Sequence, residues 1–229
     1  MSAPWAPAEF EQHIRDVLAS RYHHVHPFNQ KMHEGELSPR QIRGWIANRF
    51  YYQEMIPVKD AILLSKLPWE HRRHWVRRIL DQDGTGPGEG GLEAWLRLGE
   101  AAGLSRSDLL THRFLVPAAR FAVDAYVTFV RDHPWIEGVA ASLTELSAPS
   151  LMSVRIAAFE KHYSWIRPEG LEYFRSRVTQ GARDAAQALP LVLEHCRTRP
   201  EQERALHALT VKCDVLSAFL DAVASAFPA

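Results

Sequence analysis

Tyr173 and Arg177 stand four residues apart with Gln180 at the next turn, so a helix through them presents a phenol, a guanidinium and a carboxamide to one ligand. Arg49, Tyr52 and Gln53 have a similar spacing in NRFYYQ, and Tyr126 interrupts the apolar stretch RFAVDAYVTFV. Each residue taken singly is more often a satisfied core or surface group. Together on inward helix faces they would form a pocket for a planar, multiply anionic molecule, because guanidinium groups bind carboxylates through paired N–H···O bonds. Lys212 adjoins the apolar stripe Leu206, Leu209, Cys213, Leu216 and Leu220. Two readings of it stay open: a packed stem with its charge in water, or an inward ammonium facing an anion.

Other chemistries find weaker support. Residues 83–91 spell GxGxxG at Gly86, Gly88 and Gly91, but no apolar strand precedes them, so the stretch reads as a connecting loop rather than a dinucleotide cradle. His23, His24 and His26 cluster, and His71 and His74 lie in the charged segment EHRRHWVRR, which reads as a solvated helix face. A helical di-iron centre would want paired Glu-x-x-His motifs, and the chain contains none. No metal is expected. Cys196 and Cys213 form no CxxC or zinc spacing, and Cys213 within its apolar stripe reads as a small buried hydrophobe rather than a nucleophile.

These side chains have to be positioned by helices. Apolar residues recur at three- and four-residue intervals almost throughout, and alternating β-branched runs are absent. The pattern predicts an all-α, single compact helical bundle over 1–229. Helices are expected at 8–20, from the Ser38-Pro39 cap to 55, and, after an interruption at Pro57, at 58–66. Further helices are expected at 69–82, 91–103, 116–131, 134–147, 150–160, 168–195 and 200–226. Lys and Arg number 27 and Asp and Glu 27, so no excess of positive charge marks a nucleic-acid binder. No segment approaches the roughly 18 apolar residues of a membrane helix, and the N-terminus lacks a signal pattern. A cytoplasmic location is expected.

The segments YHHVHPFNQKMH (22–33), WIANRFYYQEMIPVKDA (45–61), GGLEAWLRLGEAAGL (90–104), RFAVDAYVTF (120–129), SLTEL (142–146), YFRSR (173–177) and KCDVL (212–216) closely resemble the pyrroloquinoline quinone synthases. The resemblance runs from about residue 8 to 225, in the same order and with almost the same spacing. It implies a haem-oxygenase-like and thiaminase-like helical bundle, usually homodimeric. It also implies ring closure and multi-electron oxidation of a small, anionic tricarboxylate quinone precursor by O2, with hydrogen peroxide released and no metal or redox cofactor. His23, Tyr173, Arg177 and Lys212 match catalytic positions of that family. Tyr22, Arg49, Tyr52, Gln53, Arg78, Tyr126, Glu145 and Met152 match substrate-contacting ones.

Two positions depart from the family pattern. Gln82 stands where a catalytic histidine is usual, and Met152 replaces a pocket histidine. Glutamine forms hydrogen bonds but does not titrate near neutral pH, so proton transfer would fall to His23, Tyr173 or a water held by Arg177. The departures leave open a non-catalytic quinone-binding homologue, or a related helical-bundle oxidase acting on another substrate.

Overall fold

The computed structural model describes residues 2–229, which form eleven α-helices and three short 3₁₀ turns, with no strand among the described residues. The longest helices are α3 (Pro39–Lys66) and α11 (Arg199–Ala226). Ser38 and Gln41 close a capping box at the start of α3, where Pro39 occupies the first turn at no hydrogen-bond cost. Around α3 pack α4 (Trp69–Asp83), α5 (Gly90–Ala101) and α7 (Pro117–Asp132); α11 lies against α7, α8 (Trp135–Ala141) and α1 (Pro7–Arg21). A third group joins α9 (Ala148–His162) to α10 (Glu172–His195). Trp45, Trp95, Phe159 and Phe174, all 2% exposed or less, lock α3, α5, α9 and α10 together. Their rings meet at centroid distances of 5.4–6.4 Å, edge-on, tilted or offset.

Several boundaries differ from the sequence expectation. Pro57 does not divide the helix: α3 runs through it. Proline has no N–H for the Gln53 carbonyl one turn back, and that oxygen is instead bonded by Gln82 Nε2 of α4 at 3.2 Å. The helix expected over 134–147 stops at Ala141 and continues as a 3₁₀ turn, Ser142–Leu146. Pro149 deprives the Glu145 carbonyl of its donor in the same way, so α9 begins afresh at Ala148. The expected 168–195 helix likewise opens with a 3₁₀ turn, Pro168–Leu171.

Two helices lie where none was expected. The first, α2 (Pro27–Glu34), is capped by His26, whose Nδ1 accepts from Phe28 N at 3.1 Å, a residue outside the customary capping set. The second, α6 (Arg106–Leu110), is a single capped turn after Ser105. A 3₁₀ turn, His23–Val25, separates α1 from α2. The glycine-rich stretch is the α4–α5 connection, and Gly84, Gly88 and Gly90 all adopt positive φ. His71 is half-buried rather than solvated, with Trp135 and His195 at 6.0 and 5.9 Å; His74 is exposed. No helix among the described residues is long and apolar enough to cross a membrane.

Candidate active site

Between α3, α9, α10 and α11 lies a cavity with two lobes that share Tyr52, Ile56, Thr144, Glu145 and Arg177. Arg49, Tyr52, Gln53 and Ile56 line it from one face of α3, as their i, i+3, i+4, i+7 spacing requires. Tyr173, Arg177 and Asp184 extend the wall along α10, whereas Gln180 accepts from Arg177 Nη1 at 3.3 Å and does not line the cavity. The first lobe adds Tyr22, His23 and Met152; the second adds Arg78, Gln82, Tyr126 and Lys212. Every residue singled out by the resemblance therefore borders one lobe or the other.

The structure resolves the two readings of Lys212. The side chain is 2% exposed and does not reach water. Its ammonium donates to Tyr52 Oη and sits 3.6 Å from the centre of the Tyr126 ring. Burial, then Arg49 and Lys59, hold its pKa well below the ordinary lysine value.

His23 is also enclosed. Its backbone carbonyl accepts from Asn29 Nδ2 at 2.7 Å, and the Tyr22 ring meets the imidazole edge-on at 4.4 Å. Its Nδ1 is buried and has no partner among the described residues. Burial, reinforced by Arg49, Arg155 and Lys212, holds the imidazole well below its ordinary pKa, so it is neutral at neutral pH and available to take a proton. Burial drives the hydroxyls of Tyr22, Tyr52, Tyr126 and Tyr173 the other way, and all four remain phenols.

Charged residues in the walls fall into two sets. Lys59 bonds Asp60 at 2.5 Å; Arg78 lies 3.4 Å from Asp184 and 3.7 Å from both Asp60 and Glu145; Arg177 bonds Glu145 at 2.6 Å. Although burial opposes it, these carboxylates hold Arg78 and Arg177 firmly charged. Arg49, Arg155 and Lys212 have no carboxylate within 4.0 Å among the described residues. Arg49 lies over the Tyr52 ring at 3.7 Å. Arg155 donates to Asn29 Oδ1 at 3.1 Å, and burial with Arg49 draws its pKa down to about 10. Six cations thus face three carboxylates, and the excess of three is the set with no carboxylate partner.

Sequence reasoning passed over Arg155, Thr144, Lys59, Asp60 and Asp184. A signal existed for the adjacent pair, since Lys59-Asp60 interrupts the apolar run IPVKDAILL, and both prove almost wholly buried. Arg155 stands similarly alone in SVRIAAF.

An all-helical bundle of this kind defines a fold class, and solved structures share that fold. A TenA homolog from Pseudomonas syringae pv. tomato superposes with a TM-score of 0.77 at 15% identity, covering 98% of this chain and 99% of that one. A Shewanella denitrificans domain with a heme oxygenase-like fold gives 0.79 at 13% identity, over 96% and 93%. At sequence level the chain belongs to the TENA/THI-4/PQQC family, which it matches over residues 11–222, and within it to the pyrroloquinoline-quinone synthases. It is 50% identical over 222 residues to that synthase from Cronobacter sakazakii, covering 96% of this chain and 88% of the relative. It is 52% identical over 223 residues to the one from Pseudomonas aeruginosa, with the same coverage.

Proposed function

We infer that this chain catalyses the reaction for which those relatives are named, the synthesis of pyrroloquinoline quinone. One observation beyond the comparisons supports a tricarboxylate ligand: the cavity's unpaired cations number three, matching three carboxylates. Arg49, Arg155 and Lys212 bind the carboxylates in this reading, while the paired Arg78 and Arg177 shape the walls and keep Glu145 in place. The planar rings lie among Tyr22, Tyr52 and Tyr126. Met152 fills wall volume with a flexible thioether.

The oxidation needs no protein-borne redox group in this reading, because a quinol or carbanion-like form of the substrate can reduce O2 directly. Each two-electron step removes two electrons and two protons from the substrate, and O2 accepts both as hydrogen peroxide. His23 takes a proton through its free Nδ1. Tyr173 and Arg177 flank the oxygen species, and the guanidinium stabilises negative charge as it develops. A net positive cavity also repels a metal cation. Protein dialysed against a strong chelator is therefore expected to oxidise the precursor at the untreated rate; activity that returns only when iron or another metal is added would refute this.

The three unpaired cations carry a second expectation. Lys212 has a depressed pKa in the cavity, and a carboxylate beside it raises that pKa, so the complex holds more protons than its separated parts. Binding takes up protons and strengthens as pH falls through the window between the free and bound pKa values. Calorimetry of the tricarboxylate in two buffers of different ionisation enthalpy reads the sign: uptake is expected, and release would contradict it.

A further inference from the structure

Gln53, Gln82 and Tyr173 form one hydrogen-bonded chain beside Pro57, and its chemistry allows only one direction. It starts at a backbone oxygen. Pro57 offers no N–H to the Gln53 carbonyl, which can only accept. The Gln82 atom facing that oxygen at 3.2 Å must therefore be its amino nitrogen, because the amide oxygen there would repel. The same nitrogen lies 3.1 Å from the Gln53 side chain, which must turn its own oxygen towards it. Tyr173 Oη is 2.7 Å from that same Oε1, so the phenol donates its single proton there. Gln53, Gln82 and Tyr173 are 1%, 3% and 6% exposed, so bulk water does not freely exchange with these bonds.

Space is made for the arrangement as well as bonding. A Cβ at Gly91 would lie 2.4 Å from Gln82 Oε1 and 3.3 Å from the Tyr173 ring, so the start of α5 has to be glycine for Gln82 to sit here. The consequence falls on the cavity. With its proton committed, Tyr173 turns only lone pairs towards a ligand, and Gln53, whose Oε1 is occupied twice, has its amino group left to donate.

We propose that Gln82 is a positioning residue, set by the carbonyl that Pro57 leaves free, which makes Tyr173 meet the ligand as a hydrogen-bond acceptor and Gln53 meet it as a donor. The proposal rests on the reading of this cavity as the active site. Gln53 then donates to a carbonyl oxygen of the quinone, while Tyr173 receives a bond from a quinol hydroxyl, a hydroperoxide or a water. A histidine at position 82 would have one N–H per nitrogen and could not serve both Gln53 oxygens from one atom.

The direction of the Tyr173 hydrogen bond is read in ligand-free protein from the tyrosine Fermi doublet in the Raman spectrum, taken as the difference between the parent and Tyr173→Phe. The parent is expected to show a strong donor. In Gln82→Met, near-isosteric but without donors, the Gln53 amide is free to turn and the donor signature is expected to weaken. Should Gln82→Met not fold, Gln82→Asn withdraws the amide from both oxygens and carries the same expectation. Turnover of the folded variant is expected to fall about tenfold, the effect of roughly one hydrogen bond, with KM within about threefold. An unchanged Tyr173 signature overturns the proposal even if turnover falls. Because the spectrum needs no substrate, failure of the functional reading and failure of this proposal give different results.

Discussion

His23→Ala is expected to lower the rate of precursor oxidation in a single turnover by roughly 10²–10⁴, the range for loss of a positioned acid or base. Three features of the site lead there. The imidazole borders the cavity, its Nδ1 has no partner among the described residues, and burial with the nearby cations keeps it neutral. A neutral ring adds no charge to the three that bind the tricarboxylate, so the dissociation constant should stay within a few-fold. Its anchoring contact is made by the backbone carbonyl to Asn29 and survives the substitution. His23→Asn, polar but unable to titrate near neutral pH, should be as slow as alanine. If His23→Asn instead keeps the parent rate, the residue shapes the cavity and the proton goes elsewhere.

Lys212→Met is expected to move stability and affinity in opposite directions. In the ligand-free protein the 2%-exposed Lys212 amine is held near Arg49 and Lys59 with no carboxylate of its own, so carrying its charge there costs folding free energy. Methionine of similar length removes the charge and keeps the packing, and urea unfolding should show a gain of roughly 1–4 kcal/mol, as when buried charges give way to apolar residues. The same change deprives one substrate carboxylate of a charged hydrogen bond worth about 1.5–3 kcal/mol, or about 10- to 100-fold in the dissociation constant. A gain in one and a loss in the other is what a cavity holding charge in reserve for its ligand implies. Loss of both would make Lys212 a structural anchor through Tyr52.

The helical period and the inward faces were legible because they depend on local spacing: Arg49, Tyr52 and Gln53, or Tyr173 and Arg177, share a face wherever their helix lies. Lys212 was ambiguous for the opposite reason. A lysine beside an apolar stripe has the same sequence signature whether it snorkels or points inward, and only Tyr52 and Tyr126, from two other helices, decide it. Pro57 misled because the local rule counts the lost N–H and cannot see Gln82, 29 residues away from Gln53, bonding the freed oxygen. The short α2 was missed because a histidine caps it. Near full-length resemblance supplied the list of cavity residues, but not the division of its cations into carboxylate-paired and unpaired, which depends on where Asp60, Glu145 and Asp184 fall in three dimensions.

Gln82 and Met152, standing where the family resemblance leads one to expect histidines, make turnover the property to measure. Chelator-treated protein loaded anaerobically with the tricarboxylate precursor and mixed with oxygenated buffer, while absorbance and dissolved oxygen are followed together, addresses it in one experiment. The bound precursor is expected to be converted to the quinone as oxygen is consumed and peroxide appears. A precursor that stays tightly bound and unchanged, with no oxygen uptake, would contradict it and make this cavity a quinone-binding site without chemistry.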